Sequence, residues 1–132
     1  MTSDDTGLAL PDSLEISPEE LIARMEGGEE LQVMDVRAPE RLALGRVHLV
    51  PPDRYRNIPG SELMRIHDLS ATGLSAGLPA VVVCGHGKDS KILAFHLSRL
   101  GVNARSLAGG IARWMRFTLP RALDLSLIHI SE

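Results

Sequence analysis

The stretch "AVVVCGHGKDSKILAFHLSRLG", residues 80–101, joins the strongest strand pattern of the chain to a helical pattern through a glycine-containing linker. Residues 80–83 form a short β-branched run of the kind that fills buried parallel strands. From Asp89 or Ser90 the spacing predicts a helix closed by Gly101, with Ile92, Leu93, Ala94, Phe95, Leu97 and Leu100 spread widely round it. A helix apolar over so wide an arc is expected to pack between a sheet and other helices. Cys84, the single cysteine, stands where the strand gives way to the linker. Strand, linker and helix in this order predict a βα unit, and in open α/β sheets ligands gather at the carboxyl ends of strands.

The pattern repeats on either side. "SPEELIARMEGG", residues 17–28, places Ser17 as N-cap, Pro18 at the first helical position, Glu20 three residues after the cap and two glycines at the end, which together specify a helix. "LEIS" before it reads as a short edge strand, and "LQVMDV" after it as a buried strand ending near Asp35. "APERLALG" is a turn or short helix closed by Gly45. "RVHLVPPDRYRNIPG" carries too much proline for a central strand before Asn57 and Ile58, and "SELMRIHDL" is expected to be a capped helix. "NARSL" is a further strand, "AGG" a turn, and "IARWM" opens the last helix. Alternating strands and helices over short connections imply an α/β domain with a mostly parallel sheet covered on both faces.

The 132 residues suit one domain, and 44% hydrophobic content is enough for its core. A lone cysteine forms no internal disulfide, and "MTSDDTGLALPDSLEIS" lacks the basic start and apolar run of an export signal, so a cytoplasmic location is expected. No apolar stretch reaches the ~20 residues of a membrane span. A net charge of −3 without clustered Lys or Arg argues against a nucleic acid partner. A small molecule or another protein is the expected partner. Residues 1–12, polar and acidic, read as a mobile leader.

A cysteine attacks as the thiolate, which a helix N-terminus or a cation favours. The linker "GHGKD" has two glycines, Gly85 and Gly87, which permit positive φ, and no β-branched residue. It is able to curl so that backbone N–H groups surround the sulfur as an anion cradle, with His86 and Lys88 adding positive charge and Ser90 capping the helix. The alternative reading makes Cys84 a small buried hydrophobe at an ordinary βα turn.

Four segments together carry a family resemblance. "VMDVRAPE" is similar to an Asp-Val-Arg-x-x-x-Glu entry motif at Asp35, Val36 and Arg37, with Glu40 one position early; "NIPGSEL" matches Asn-Ile-Pro at Asn57, Ile58 and Pro59. "VCGHGKDS" aligns with an active-site loop, and "SLAGGIARW" with a Gly-Gly-Ile-x-x-Trp close at Gly109, Gly110, Ile111 and Trp114. In this order and spacing they resemble a rhodanese-like sulfurtransferase domain over roughly residues 14–117. The resemblance implies a three-layer α/β fold with a central, mostly parallel sheet flanked by helices, assigned to residues 13–118. It also implies a Cys84 persulfide that takes sulfane sulfur from thiosulfate or a low-molecular-weight persulfide and passes it to a thiol or cyanide-like acceptor, without a cofactor. The amides of Gly85, His86, Gly87, Lys88 and Asp89 would cradle that persulfide. Asp35 would order the loop near the site, and Arg37 would pair with a carboxylate.

Departures from the family pattern bear on the substrate. Many thiosulfate-using members carry a basic residue or threonine where this chain has Asp89, and a carboxylate there opposes a dianion. "GRVHL" stands in place of Gly-His-Ile, and "VPPDRY" lengthens the route to Asn57. Arg46, Arg54 and Tyr55 would then form the pocket rim. His96 reads as a satisfied, half-buried helix residue, and His48, His67 and His129 have no ligand spacing with Cys84, so no metal is expected. A cysteine-dependent phosphatase would need an arginine six residues after the cysteine to clamp its oxyanion; that position is Ser90, and no arginine follows until Arg99. The other alternative is a catalytically quiet rhodanese-like binding or regulatory module of a larger sulfur enzyme. Residues 119–124 read as the start of a linker, and 125–132, "LSLIHISE", resemble a translated sequencing adapter. The loop style also resembles rhodanese-like domains fused ahead of a metallo-β-lactamase-fold hydrolase, which implies a fused or partner sulfur enzyme.

Overall fold

The computed structural model describes residues 12–130, with side chains described over 13–120. Apart from Asp12, the leader reading of residues 1–12 lies outside the described residues. The strands are β1 (Glu15–Ile16), β2 (Gln32–Asp35), β3 (Tyr55–Asn57), β4 (Ala80–Val83) and β5 (Ala104–Leu107). The α-helices are α1 (Pro18–Glu26), α2 (Gly60–Leu63), α3 (Asp89–Leu100) and α4 (Gly110–Ile130). The strands form one five-stranded sheet in the order β1-β5-β4-β2-β3, every pairing parallel.

Side chains of a strand alternate between faces, and the core divides accordingly. Val33, Val81 and Val83 point to one side, where they meet Leu21 and Ile22 of α1 and Trp114 of α4. Met34, Val82 and Cys84 point to the other, against Leu63 of α2 and Leu93, Ala94 and Leu97 of α3. These two clusters and the sheet between them make the three layers. Among the described residues no helix is long and apolar enough to cross a membrane. The backbone of α4 runs through residues 119–124, read above as the start of a linker, and on to Ile130.

Local chemistry sets the elements. Ser17 Oγ accepts from the Glu20 N–H at 3.0 Å and caps α1, and β1 lies at the sheet edge beside β5. Gln32, buried at the start of β2, donates to the carbonyls of Ser75 and Leu78 at 2.6 and 2.8 Å and accepts from the Ser75 N–H at 2.9 Å. It thereby fixes the loop that delivers β4. Residues 39–44 form a 3₁₀ turn ending at Gly45.

Two expectations are corrected. "SELMRIHDL" gives a single α-turn with no side-chain cap, because from Arg65 onward the backbone bonds tighten, Arg65 N–H to Glu62 and Ile66 N–H to Leu63. Asp68 then diverts the chain by accepting from both the N–H and the hydroxyl of Ser70, which starts the 3₁₀ turn Leu69–Thr72. On α3, Leu93, Ala94 and Leu97 are buried as expected, whereas Ile92 and Phe95 are 53% and 41% exposed. The sheet covers one face of the helix and no other described element covers the face carrying these two.

Candidate active site

The chain order places β3 on one side of β2, and β4 and β5 on the other. The carboxyl ends of β2 and β4 therefore flank the point where the connection reverses, the place at which α/β sheets bind ligands. Asp35 ends β2, and Cys84 immediately follows β4.

Cys84 is 7% exposed and free. Its sulfur accepts the Gly87 N–H at 2.9 Å, and its thiol donates to Ser90 Oγ at 3.2 Å. Ser90 Oγ lies 2.6 Å from Ser106 Oγ of β5, and both serines are fully buried. Because a hydroxyl rotates to suit its partner, Ser90 accepts from a thiol and is able to donate to a sulfur anion, with Ser106 adjusting behind it. Ser90 thus lies inside α3 against the sulfur, correcting its assignment as helix cap. Lys88 occupies the cap position without a side-chain bond. Among the described residues the sulfur takes one backbone amide, that of Gly87, from the stretch Gly85–Asp89. His86, Lys88 and Asp89 are exposed. Of the two linker glycines, each of which permits positive φ, Gly87 adopts it (+89°) and Gly85 does not.

The back of the loop is held by α4. The N–H groups of Ile111 and Ala112 donate to the carbonyls of Cys84 and Gly85 at 2.8 and 3.1 Å, so the free amides at the start of α4 fix the two peptides that begin the loop. Gly110 makes this approach possible: at φ +63°, a Cβ there would lie 2.6 Å from Cys84 O and from Gly85 C and O.

Beside the loop, Asp35 is fully buried and fully engaged. Arg37 donates to both its carboxylate oxygens, Nε at 3.0 Å and Nη2 at 2.7 Å, and the Tyr55 hydroxyl donates to Oδ2 at 2.6 Å. Arg37 also donates to the carbonyls of Arg41 and Gly45, at 3.2 and 2.6 Å, and so ties the 39–44 turn to β2. Asn57 Nδ2 donates to the carbonyls of Asp35 and Arg37, both at 2.9 Å. Burial opposes the charge on Arg37, yet its bonds to Asp35 prevail and hold its pKa above the usual arginine value. Burial first, and the bond to Asp35 next, raise the pKa of Tyr55.

Tyr55 is therefore a core residue and not part of a rim. Arg54 belongs to the opposite edge, where Nε donates to the Leu31 carbonyl at 3.0 Å and Nη1 lies 3.8 Å from Glu30. Arg46 is exposed, with its guanidinium 4.6 Å from the centroid of the Tyr55 ring. The structure thus brings Cys84, Gly87 and Ser90 together, gathers Asp35, Arg37 and Tyr55 next to β4, and leaves Arg54 elsewhere. Ser106 was missed by sequence reasoning; the signal was a lone hydroxyl that shares the buried face of "NARSL" with Ala104. His96 is half-buried and bonded through Nε2 to the Ile66 carbonyl at 2.8 Å. Among the described residues, no three His, Cys, Asp or Glu side chains cluster as metal ligands do.

The Asp35 cluster yields a stability prediction. Tyr55→Phe removes one hydrogen bond to a buried carboxylate that keeps Arg37, so a loss of about 1–2 kcal/mol is expected in urea unfolding. The Tyr55 pKa is raised above its ordinary 10.0 in the folded state, so the stability linked to its neutral form is full below that pH and lost as pH rises above it. The gap between wild type and Tyr55→Phe accordingly narrows above pH 10.0. A gap that widened there would contradict the bond to Asp35.

Comparison with known proteins gives consistent matches. A family model described as "Rhodanese-like domain" matches residues 17–117. The adenylyltransferase and sulfurtransferase UBA4 of Yarrowia lipolytica is 26% identical over 106 residues, covering 60% of this chain; the chain spans 26% of that relative's length. Among solved structures, a rhodanese-related protein of Thermoplasma volcanium is 29% identical with a TM-score of 0.61, covering 77% of this chain and 90% of that one. The human single-domain sulfurtransferase TSTD1 is 25% identical with a TM-score of 0.61, covering 78% and 96%.

Proposed function

The chain belongs to the rhodanese-like domain family, and from that membership we propose that it is a sulfurtransferase carrying sulfane sulfur on Cys84. The observation that supports this reading best is a buried sulfur met by the Gly87 N–H and the Ser90 hydroxyl at the carboxyl edge of the sheet. In the first half-reaction the Cys84 thiolate attacks the outer sulfur of the donor. The donor's S–S bond breaks, and its remainder leaves as a thiolate, or as sulfite when the donor is thiosulfate. In the second, an acceptor thiolate or cyanide attacks the outer sulfur of the Cys84 persulfide, and the Cys84–sulfur bond breaks to return the thiolate. The enzyme begins and ends with the same charge and proton count, and no cofactor enters. The donor in this reading is thiosulfate or a low-molecular-weight persulfide, in a reducing cytoplasm where one free cysteine stays reduced. A fused or partner sulfur enzyme is a further place for the sulfur to go.

Asp89, exposed at the first position of α3, sets the donor preference. A carboxylate beside the loop repels a dianion, so Asp89→Arg is expected to raise kcat/KM for thiosulfate by about fivefold, close to 1 kcal/mol for an exposed charge. Added salt should shrink the gain. Sulfur transfer from thiosulfate to cyanide measures it, and an unchanged rate would show that the carboxylate does not face the donor. A complete lack of transfer from any donor in the wild-type protein would instead favour the quiet binding module.

A further inference from the structure

The face of α3 turned away from the sheet carries an apolar groove. Ile92 and Phe95 are 53% and 41% exposed, and Met64, which lies beside them, is 43% exposed. Two depressions share Met64 and Ile92: one of about 270 Å³ bounded by Gly60, Ser61 and Asp89, and one of about 460 Å³ that passes Phe95 to His67, His96 and Arg99. One end of this groove is Asp89, where the loop around Cys84 becomes α3. The other end is Arg99, ten residues further along the helix, or about 15 Å at 1.5 Å per residue. The Arg99 guanidinium sits 5.9 Å from the centroid of the Phe95 ring. Asp89 and Arg99 are the charged residues lining the two depressions, at opposite ends of an apolar floor.

We propose that this groove docks the sulfur acceptor, and that the acceptor is a polypeptide. Its accepting cysteine lies next to a basic residue, then comes a short apolar segment, then acidic residues that meet Arg99. The inference rests on the reading of Cys84 as the sulfur carrier. Thiosulfate, cyanide or a free thiol has no use for an apolar floor of this length, whereas about five extended residues span it at roughly 3.3 Å each. Charge complementarity at both ends fixes the direction of the segment. A second copy of the chain offers the same concave surface, and two concavities facing each other leave the space unfilled.

The test uses the full chain loaded with sulfur from glutathione persulfide. One acceptor is a heptapeptide of one cysteine, one lysine, three leucines and two glutamates in that order. Its control has the charges exchanged, and dithiothreitol serves as the small acceptor. Transfer to the first peptide is expected to exceed transfer to its control by about tenfold in kcat/KM, as for charges matched rather than opposed at the two ends of the same apolar floor. Ile92→Glu and Arg99→Glu should each abolish that preference while leaving transfer to dithiothreitol unchanged. Equal rates for the two peptides, or a preference that survives both substitutions, would overturn the docking site and leave the sulfur carrier intact. A wild-type dimer in sedimentation that Ile92→Glu dissociates would assign the groove to a second copy and also overturn it. Failure of Cys84 to load would remove the carrier reading and the docking site together.

Discussion

Cys84→Ser is expected to reduce sulfur transfer to background with thiosulfate and with glutathione persulfide, in a protein whose unfolding midpoint barely moves. The substitution keeps the shape of the side chain and leaves Gly87 N–H and Ser90 Oγ with an oxygen partner in place of the sulfur. The change to the core is therefore small, within about 1 kcal/mol. The change to the chemistry is complete, because the sulfur that must attack the donor and carry the transferred atom is gone. No other described cysteine exists to substitute for it, since the chain has one. Cyanide-trapped transfer checks the result, and measurable turnover in the variant would contradict a Cys84 intermediate.

Gly110→Ala should be nearly as damaging for a different reason. Its added Cβ would fall 2.6 Å from backbone atoms of Cys84 and Gly85, at a residue with φ +63°. Neither backbone nor side chain is free to give way cheaply, because Ile111 and Ala112 already hold those carbonyls. The N-terminus of α4 must retreat, and the loop carrying the sulfur shifts with it. A misplacement of order 1 Å at a reacting group costs about 10²-fold in rate, so a loss of that size in kcat/KM is expected, together with about 1–3 kcal/mol of stability. Gly85→Ala is the contrast: a Cβ there meets nothing within 4 Å and the residue has no positive φ. It should retain activity within a few fold. If the two variants behaved alike, the contact between α4 and the loop would not be what positions Cys84.

Much of this arrangement is legible in the sequence because it rests on local signals. Ser17, Pro18 and Glu20 specify the start of α1, and the β-branched run before Cys84 specifies β4. The glycines after Ser106 mark the turn into α4. What was not legible depended on partners far away in the chain. Ser90 has the composition of a helix cap, but Ser106, sixteen residues on, offers a buried hydroxyl, and Ser90 turns inward to it. Tyr55 lies in a proline-rich loop that suggested a rim, yet Asp35, twenty residues earlier, draws its hydroxyl into the core. The "SELMRIHDL" segment has helical spacing, yet its α-turn stops at Leu63, where the backbone bonds tighten, and Asp68 then starts a separate 3₁₀ turn by binding Ser70. Ile92 and Phe95 look like core residues by periodicity, because periodicity reports an apolar face and not what covers it.

The central claim is that Cys84 carries sulfur, and the intact mass of the protein tests it most directly. The chain is incubated with glutathione persulfide and, separately, with thiosulfate, and its mass is read before and after cyanide, with Cys84→Ser alongside. The account predicts a gain of one sulfur atom with at least one donor, removed by cyanide and absent from the variant. A folded wild-type protein that gains no sulfur from either donor, or a variant that gains it equally, would contradict the account.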